Sequence, residues 1–562
     1  MGKLSRGLGL MLICLLVVAS MATAQDGAAA PAAGAAPAAG DAPTPVISSA
    51  QRYNQAVALY QQGKLDEAKA GFEEVLKADS KDATTMVWLG VIALHQKRAQ
   101  DAVDMLGKAV AAKGNDPLAL NNLGIALLGT DAVDKAIEAF QKAVAADSKY
   151  ADAWYNLGIA FGRKGDLDAG IKAYEQATKL AANNADGWNN LANLYKARNR
   201  RPDAIAAYRK ALELNRTAIF ASNLGLALWE NGNMTDAIAT FEGAVGIDAK
   251  CYVAQLYRGI GYLKRGQGDD LNKAVAALAA AAELQPEDFA AQFNLGLAAG
   301  KLGTKVGFEQ AVAANEAAIK IKPDDLNTLN NLGWAYFKLE QYDKAKDAWR
   351  RALAAKPGFS LAQTNLAIVC TRTGSWDDAV EAWEQVVASE PDNLNALVQL
   401  GDAQYNGKKI DAAKASLEKA VAKGTKDPEA LNKLGLICDS LGLLPEAEGY
   451  FRKAIVLNKD YAVAFNNLGV ALEKQNKIDE AKRCYQDALK IKPDYEDAKY
   501  NLQRFEKAAG GATPEKPADG AAPTTPGSAP AGGAAPATTP GTPTPAAGGA
   551  TSAGGGPAPA QP

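Results

Sequence analysis

The chain has 562 residues, a length that at about 150 residues per domain would suggest three or four globular units. Its 61 Lys and Arg against 63 Asp and Glu leave a formal charge of −2, so the charge balance draws it neither to nucleic acid nor to an anionic membrane. A single histidine, His95, removes most histidine-dependent catalysis and zinc chemistry from consideration. At the N-terminus, Lys3 and Arg6 precede an apolar run from Leu8 to Ala19, and Ala22-Thr23-Ala24 follows with the small-x-small pattern of a signal peptidase site. That run falls short of the about 20 apolar residues a membrane-spanning helix needs, so residues 1–24 are read as a cleaved export signal and not as an anchor. Cys14 lies inside the run after Ile13, where a lipoprotein cysteine would follow a small residue. Residues 25–48 are rich in Ala, Pro and Gly and carry almost no large apolar side chain, the composition of a disordered linker.

From residue 49 to 495 the chain repeats itself. The pattern x-Asn-Leu followed by a small residue ends at Gly124, Gly158, Ala192, Gly225, Gly296, Gly333, Ala367 and Gly469, with Gly90, Gly259, Gly401 and Gly435 at the intervening sites. Counted from Ala56, the spacing is 34 residues except for one of 33 and two of 37, which gives thirteen units. Twelve residues after most of these sites stands a second small residue, as at Ala136 and Ala345, and four beyond it an aromatic or Leu, as at Phe140 and Trp349. Spacings of three and four place such residues on one stripe of a helix, so each unit reads as two amphipathic helices joined by a turn. Gly63, Gly165 and Gly374 stop first helices, and Pro286, Pro323, Pro357, Pro391 and Pro493 follow second ones. Asp116-Pro117 and Asp427-Pro428 are cap-then-proline starts. Residues 496–508 repeat the first-helix pattern with Gln503 in place of Gly, as a capping helix should. Residues 509–562 hold 12 of the 25 prolines and no charge beyond Asp519, and they read as a disordered tether.

These residues resemble the tetratricopeptide repeat, over about 460 residues. The resemblance implies an all-α fold: a right-handed superhelix, an α-solenoid of about thirteen helix-turn-helix repeats plus a capping helix, with the first helix of each pair lining the concave side. Stability in such an array is a sum over neighbouring pairs, because one pair cannot bury its own apolar face. Repeats seven and eight each gain three residues, around Gly266 to Asp270 and Gly303 to Gly307, expected to project from one edge as tolerated loop growth, or else as a docking lip or a local change of superhelical pitch. Cys251, Cys370, Cys438 and Cys484 remain after signal cleavage and are read as small core residues, since Cys370 and Cys438 share a register two repeats apart, too far for a disulfide.

Asparagine recurs two residues before the small residue of the first helix. It forms one run at Asn122, Asn156, Asn190 and Asn223, a second at Asn294, Asn331 and Asn365, and further members at Asn54, Asn467 and Asn501. Trp88, Tyr257, Gln399 and Lys433 interrupt it. Asparagine is a mediocre helix former, so this recurrence needs a cause. The register is similar to the asparagine ladder of O-linked N-acetylglucosamine transferases, which implies amides that hold the backbone of an extended peptide. The alternative, that each amide supports the adjoining repeat, stays open. Seven residues further on lies a cationic row that includes His95, Arg163, Lys264, Lys301, Lys338, Arg372 and Lys474. These residues complement helix dipoles, or Lys264, Lys301, Lys338 and Arg372 bind an acidic segment. His95 alone reads as an ordinary surface residue.

No nucleotide-binding loop, nucleophile elbow, His-Glu-x-x-His helix or Cys-x-x-Cys pair occurs, so an enzyme is not expected, nor a cofactor or a metal. Two alternatives are weighed against a scaffold. A receptor for terminal carboxylates would need Lys and Arg where Asn189, Val253 and Tyr257 stand. A targeting subunit of a glycosyltransferase or other enzyme complex would need its catalytic domain elsewhere. The reading reached is an exported, periplasmic scaffold, outer-membrane associated or secreted, that binds extended segments of other envelope proteins as part of a motility, secretion, pilus or assembly machine. It involves no nucleic acid and no membrane span after cleavage.

Overall fold

The computed structural model describes residues 48–508; the signal at 1–24, nearly all of the linker and the tail from 509 lie outside the described residues. Those residues form 27 helices and no strand, thirteen pairs in chain order and one final helix. The fold class is all-α, a solenoid of helix pairs. Two compact units divide at Gly266, the first holding α1 (Ser49–Gln61) through α13 (Tyr252–Arg265) and the second α14 (Asp270–Leu284) through α27 (Glu496–Ala508).

Local signals set the helix ends. Asp116 accepts from the backbone N–H of Leu118 at 3.0 Å with Pro117 at the first turn, and Asp427 does the same for Glu429 with Pro428. Between the helices of a pair one residue turns left-handed. Gly63, Gly165 and Gly374 serve there, whereas Lys97, Asp131, Asn199, Glu340, Lys408 and Asn476 adopt the same positive φ at a cost of about 1 kcal/mol each. Within most pairs, a glycine on the first helix lets the second approach, and Ala56, Ala192 and Ala367 stand at that site in the others. A Cβ on Gly124 would stand 2.5 Å from Phe140, and one on Gly333 would stand 2.6 Å from Trp349.

The three-residue insertions do not project as enlarged loops of that length. In repeat eight they lengthen α16 (Lys305–Ile321) to 17 residues against the usual 14, and its start is fixed by the Thr304 hydroxyl, which accepts from the N–H of Gly307 at 3.1 Å. In repeat seven the gain is divided between α14, now 15 residues, and the turn Gly266–Asp269. Cys370 and Cys438 are buried, while Cys251 and Cys484 are half-buried, and all four are free thiols. Burial pushes the thiols of Cys370, Cys438 and Cys484 up to about 11.

Candidate peptide-binding face

First helices are covered on most sides, and what stays open runs along one stripe. In α7 (Ala151–Lys164) the half-exposed or exposed residues include Tyr155, Ile159 and Arg163; in α19 (Ser360–Arg372) they include Thr364, Ile368 and Arg372. Their spacing of four puts them on a single face.

The asparagine register lies at the edge of this stripe, and most of its amides reach the preceding repeat. Asn156 donates to Asn121 Oδ1 at 2.9 Å, Asn190 to Tyr155 Oη at 3.1 Å, Asn223 to Asn189 Oδ1 at 2.9 Å and Asn365 to Asn330 Oδ1 at 2.9 Å. Asn467 and Asn501 do likewise with Asn432 and Asn466. Asn156, Asn190 and Asn365 are buried and Asn223 half-buried, so the expected track of amides free to bind a peptide gives way at these steps to cross-links between repeats. The acceptors went unnoticed in the sequence although the Asn-Asn doublets mark most of them: the first members Asn121, Asn189, Asn330 and Asn466 accept, and of the second members Asn190 and Asn467 donate.

Four members of the register differ, the first of them Asn54, which is exposed in the first repeat. Asn122 is 0% exposed and neither amide atom meets a protein partner, because the residue at the acceptor register of the preceding repeat is Val87. Asn294 turns back on its own helix, donating to the Ala290 carbonyl at 2.7 Å. Asn331 stays half-buried with no side-chain hydrogen-bond partner among the described residues, since Phe293 stands where its acceptor would be.

The cationic row divides by environment. In unit 1, Arg163 donates to the Leu128 carbonyl at 3.2 Å, and Lys264 Nζ stands 4.9 Å over the Trp229 ring. In unit 2, Lys338 Nζ stands 4.6 Å over Trp334, and Arg372 lies 5.7 Å over Phe337 and donates to Tyr342 Oη at 3.1 Å. Lys301 is exposed and has no side-chain partner among the described residues. Lys474 instead meets Asp439 at 2.6 Å. His95 is not an ordinary surface residue: it is half-buried, its Nε2 lies 2.9 Å from Tyr60 Oη and its ring meets the Tyr60 ring edge-on. Lys433, one of the interruptions, lies 2.6 Å from Asp402, whose carboxyl is pushed above its usual range by burial against the pull of that lysine. Sequence reasoning also missed a recurring brace four residues before the small site, where Trp154, Trp188, Gln292 and Gln363 each donate to a carbonyl six residues earlier, at 2.8 to 3.1 Å.

Asn189, where a carboxylate receptor would need a cation, accepts from Asn223 at 2.9 Å, and the nearby Asn193 accepts from the Tyr208 hydroxyl. Among the described residues no group of three or more His, Cys, Asp and Glu could hold a metal, and no helix is long and apolar enough to cross a membrane.

Sequence models of the tetratricopeptide repeat match residues 53–185, 189–250 and 330–437 in overlapping stretches, and residues 462–495. Among the curated proteins none matches the chain. The solved structures it is similar to include MamA, 30% identical over 28% of this chain and 93% of that one with a TM-score of 0.27. YrrB, described as a tetratricopeptide repeat protein with an unusual peptide-binding site, is 22% identical over 34% of this chain and 96% of its own, with a TM-score of 0.31. Pseudomonas aeruginosa pilF is 16% identical over 38% and 97%, with a TM-score of 0.34.

Proposed function

The chain belongs to the tetratricopeptide repeat family, and from that premise we propose that it is a non-enzymatic scaffold of the bacterial cell envelope, holding extended segments of partner proteins against its first-helix faces. The protein-interaction role is that of the family; the envelope, the extended segment and a place in a multiprotein machine are this proposal's own. The observation that carries it is the open stripe along otherwise covered first helices, which presents apolar, polar and cationic side chains such as Ile368, Thr364 and Arg372 in series. Such a surface pairs with backbone groups and side chains of an extended chain without demanding one sequence. The asparagines contribute in two ways. Asn156, Asn190, Asn223 and Asn365 hold adjacent first helices in register, and Asn331 keeps an amide for the partner.

Export is supported by the sequence around Lys3, Arg6 and Ala22-Thr23-Ala24. A photo-crosslinking residue at Ile368, on the open stripe, is expected to capture partner proteins in intact cells, whereas one at Glu384, exposed on the second helix of the same repeat, is not. Capture from Glu384 alone would overturn the assignment of the face. Fusing residues 1–60 to an enzyme that is active only outside the cytoplasm tests the location, an inactive fusion refuting it.

A further inference from the structure

Resting on the reading that first-helix faces take extended segments, the geometry points to repeats eight to ten of unit 2 as the docking place of an acidic stretch of a partner protein. Its carboxylates are held by Lys301, Lys338 and Arg372, and its apolar side chains lie on Trp334 and Phe337.

The first observation is a contrast in charge within one unit. Lys301, Lys338 and Arg372 occupy one register in three successive first helices, all are exposed, and among the described residues none has a carboxylate partner. Further along the same unit the first-helix cations are neutralised by the fold: Lys433 by Asp402 at 2.6 Å, Lys474 by Asp439 at 2.6 Å, and Arg504 by Glu473. Asp343, in the first turn of the second helix of repeat nine, is engaged by Lys346 at 3.0 Å. Repeats eight to ten therefore keep positive charge that no carboxylate among the described residues neutralises, and electrostatic complementarity selects an acidic partner.

The second observation is how two of those cations are held. Trp334 and Phe337 stack at 5.6 Å with their planes 17° apart, Lys338 lies over the first ring, and Arg372 lies over the second with its Nε on Tyr342 Oη. Rings and cations form one patch, with the long side chains already in place. A carboxylate arriving there costs less rotamer entropy than at a free lysine, and the half-buried rings offer apolar area beside it.

The third observation is Asn331, one turn before Trp334 on the same face and without a side-chain hydrogen-bond partner among the described residues. Its amide both donates and accepts, as a strand backbone requires. Packed helix layers repeat about every 10 Å and an extended chain advances about 3.3 Å per residue, so successive cations meet every third residue of the ligand. The matching segment carries Asp or Glu at every third position with apolar residues between.

The test is fluorescence polarisation on the full chain with two labelled twelve-residue peptides, one with Glu at every third position and Leu and Ser between, the other with Lys in place of Glu. The Glu peptide is expected to bind, more weakly as salt rises, and the Lys peptide not to. The combined variant K301E/K338E/R372E should lose at least about tenfold in affinity, and Asn331→Ala about threefold, with Lys264→Glu in unit 1 unchanged and circular dichroism of every variant preserved. Undiminished binding by the triple variant overturns the proposal; crosslinking from Ile368 in intact cells then still decides separately whether the face binds partners at all. Equal affinity for a single-stranded oligodeoxynucleotide, lost in the same variant, also overturns it, since the row would then answer to any polyanion.

Discussion

Asn156 and Asn122 occupy the same register in successive repeats and act on the fold in opposite ways. The first donates to Asn121 across the repeat boundary at 2.9 Å, and the second is buried opposite Val87 with neither amide atom paired to protein. A buried polar group left unpaired costs about 1–3 kcal/mol, whereas a satisfied one contributes about 1. Asn122→Leu is therefore expected to raise the local opening free energy of α5 (Pro117–Gly129) by about 1 kcal/mol, and Asn156→Leu to lower that of α7 by about 1–2 kcal/mol. Hydrogen exchange of the full chain measures both, and shifts of the same sign would refute the account. This register was visible in the sequence as a recurrence, but its role was not. A donor has meaning only with its acceptor, and the acceptor lies 35 residues away on another helix, at Asn121, Tyr155 or Asn330. His95 shows the same limit, because its partner Tyr60 is also 35 residues distant.

The helix pair depends on a small residue facing a large one. Gly333 gives its space to Trp349, whose ring would sit 2.6 Å from an added Cβ, and the ring is itself anchored, its Nε1 donating to Asn330 Oδ1 at 3.2 Å. Gly333→Ala forces that ring or the helix to move and should destabilise repeat nine by about 1–3 kcal/mol. Gly107→Ala, in the middle of α4 (Ala99–Ala112) with nothing within 4 Å of the new methyl, should stabilise by about 0.5–1 kcal/mol. Thermal and urea midpoints of the two variants check the pair of signs. Repeat eight departs from the rule by placing Asn315 where other pairs carry an aromatic or Leu; its Nδ2 donates to the Ala311 carbonyl and its buried Oδ1 is unpaired among the described residues. The helices themselves were legible, since period, glycine stops and proline positions all agree with the observed elements. The fate of the added residues was not, because a spacing of 37 is the same whether a turn or a helix absorbs the excess. The discriminating feature is local: Thr304 caps the helix early enough for the extra residues to become its first turn.

At the scale of the molecule, a stack of pairs has no single core. Within each unit the helices of a pair contact those of the adjoining pairs, so the loss of one contact should weaken nearby pairs and fade within a few repeats. Such an architecture was readable from self-similarity alone, whereas the use of its faces depends on which side chains the stacking leaves unpaired, and that is settled only when the pairs are packed. The terminal helix α27 tests the nearest-neighbour principle. Asn501 donates to Asn466 at 3.0 Å, Arg504 pairs with Glu473, and the Phe505 ring stacks 6.3 Å from Tyr485, closing the end of unit 2 over the last pair, α25 (Ala462–Lys474) and α26 (Ile478–Ile491). Replacing Asn501 and Phe505 together by Ala removes the cross-repeat bond and a half-buried ring. The expected loss is about 2–3 kcal/mol in the opening free energy of α25 and α26, read as faster hydrogen exchange there. Helices of repeats nine and ten should exchange as before, because no contact with α27 reaches them. Faster exchange spread evenly over unit 2 would mean that it unfolds as one cooperative block, and the additive description of its stability would fail.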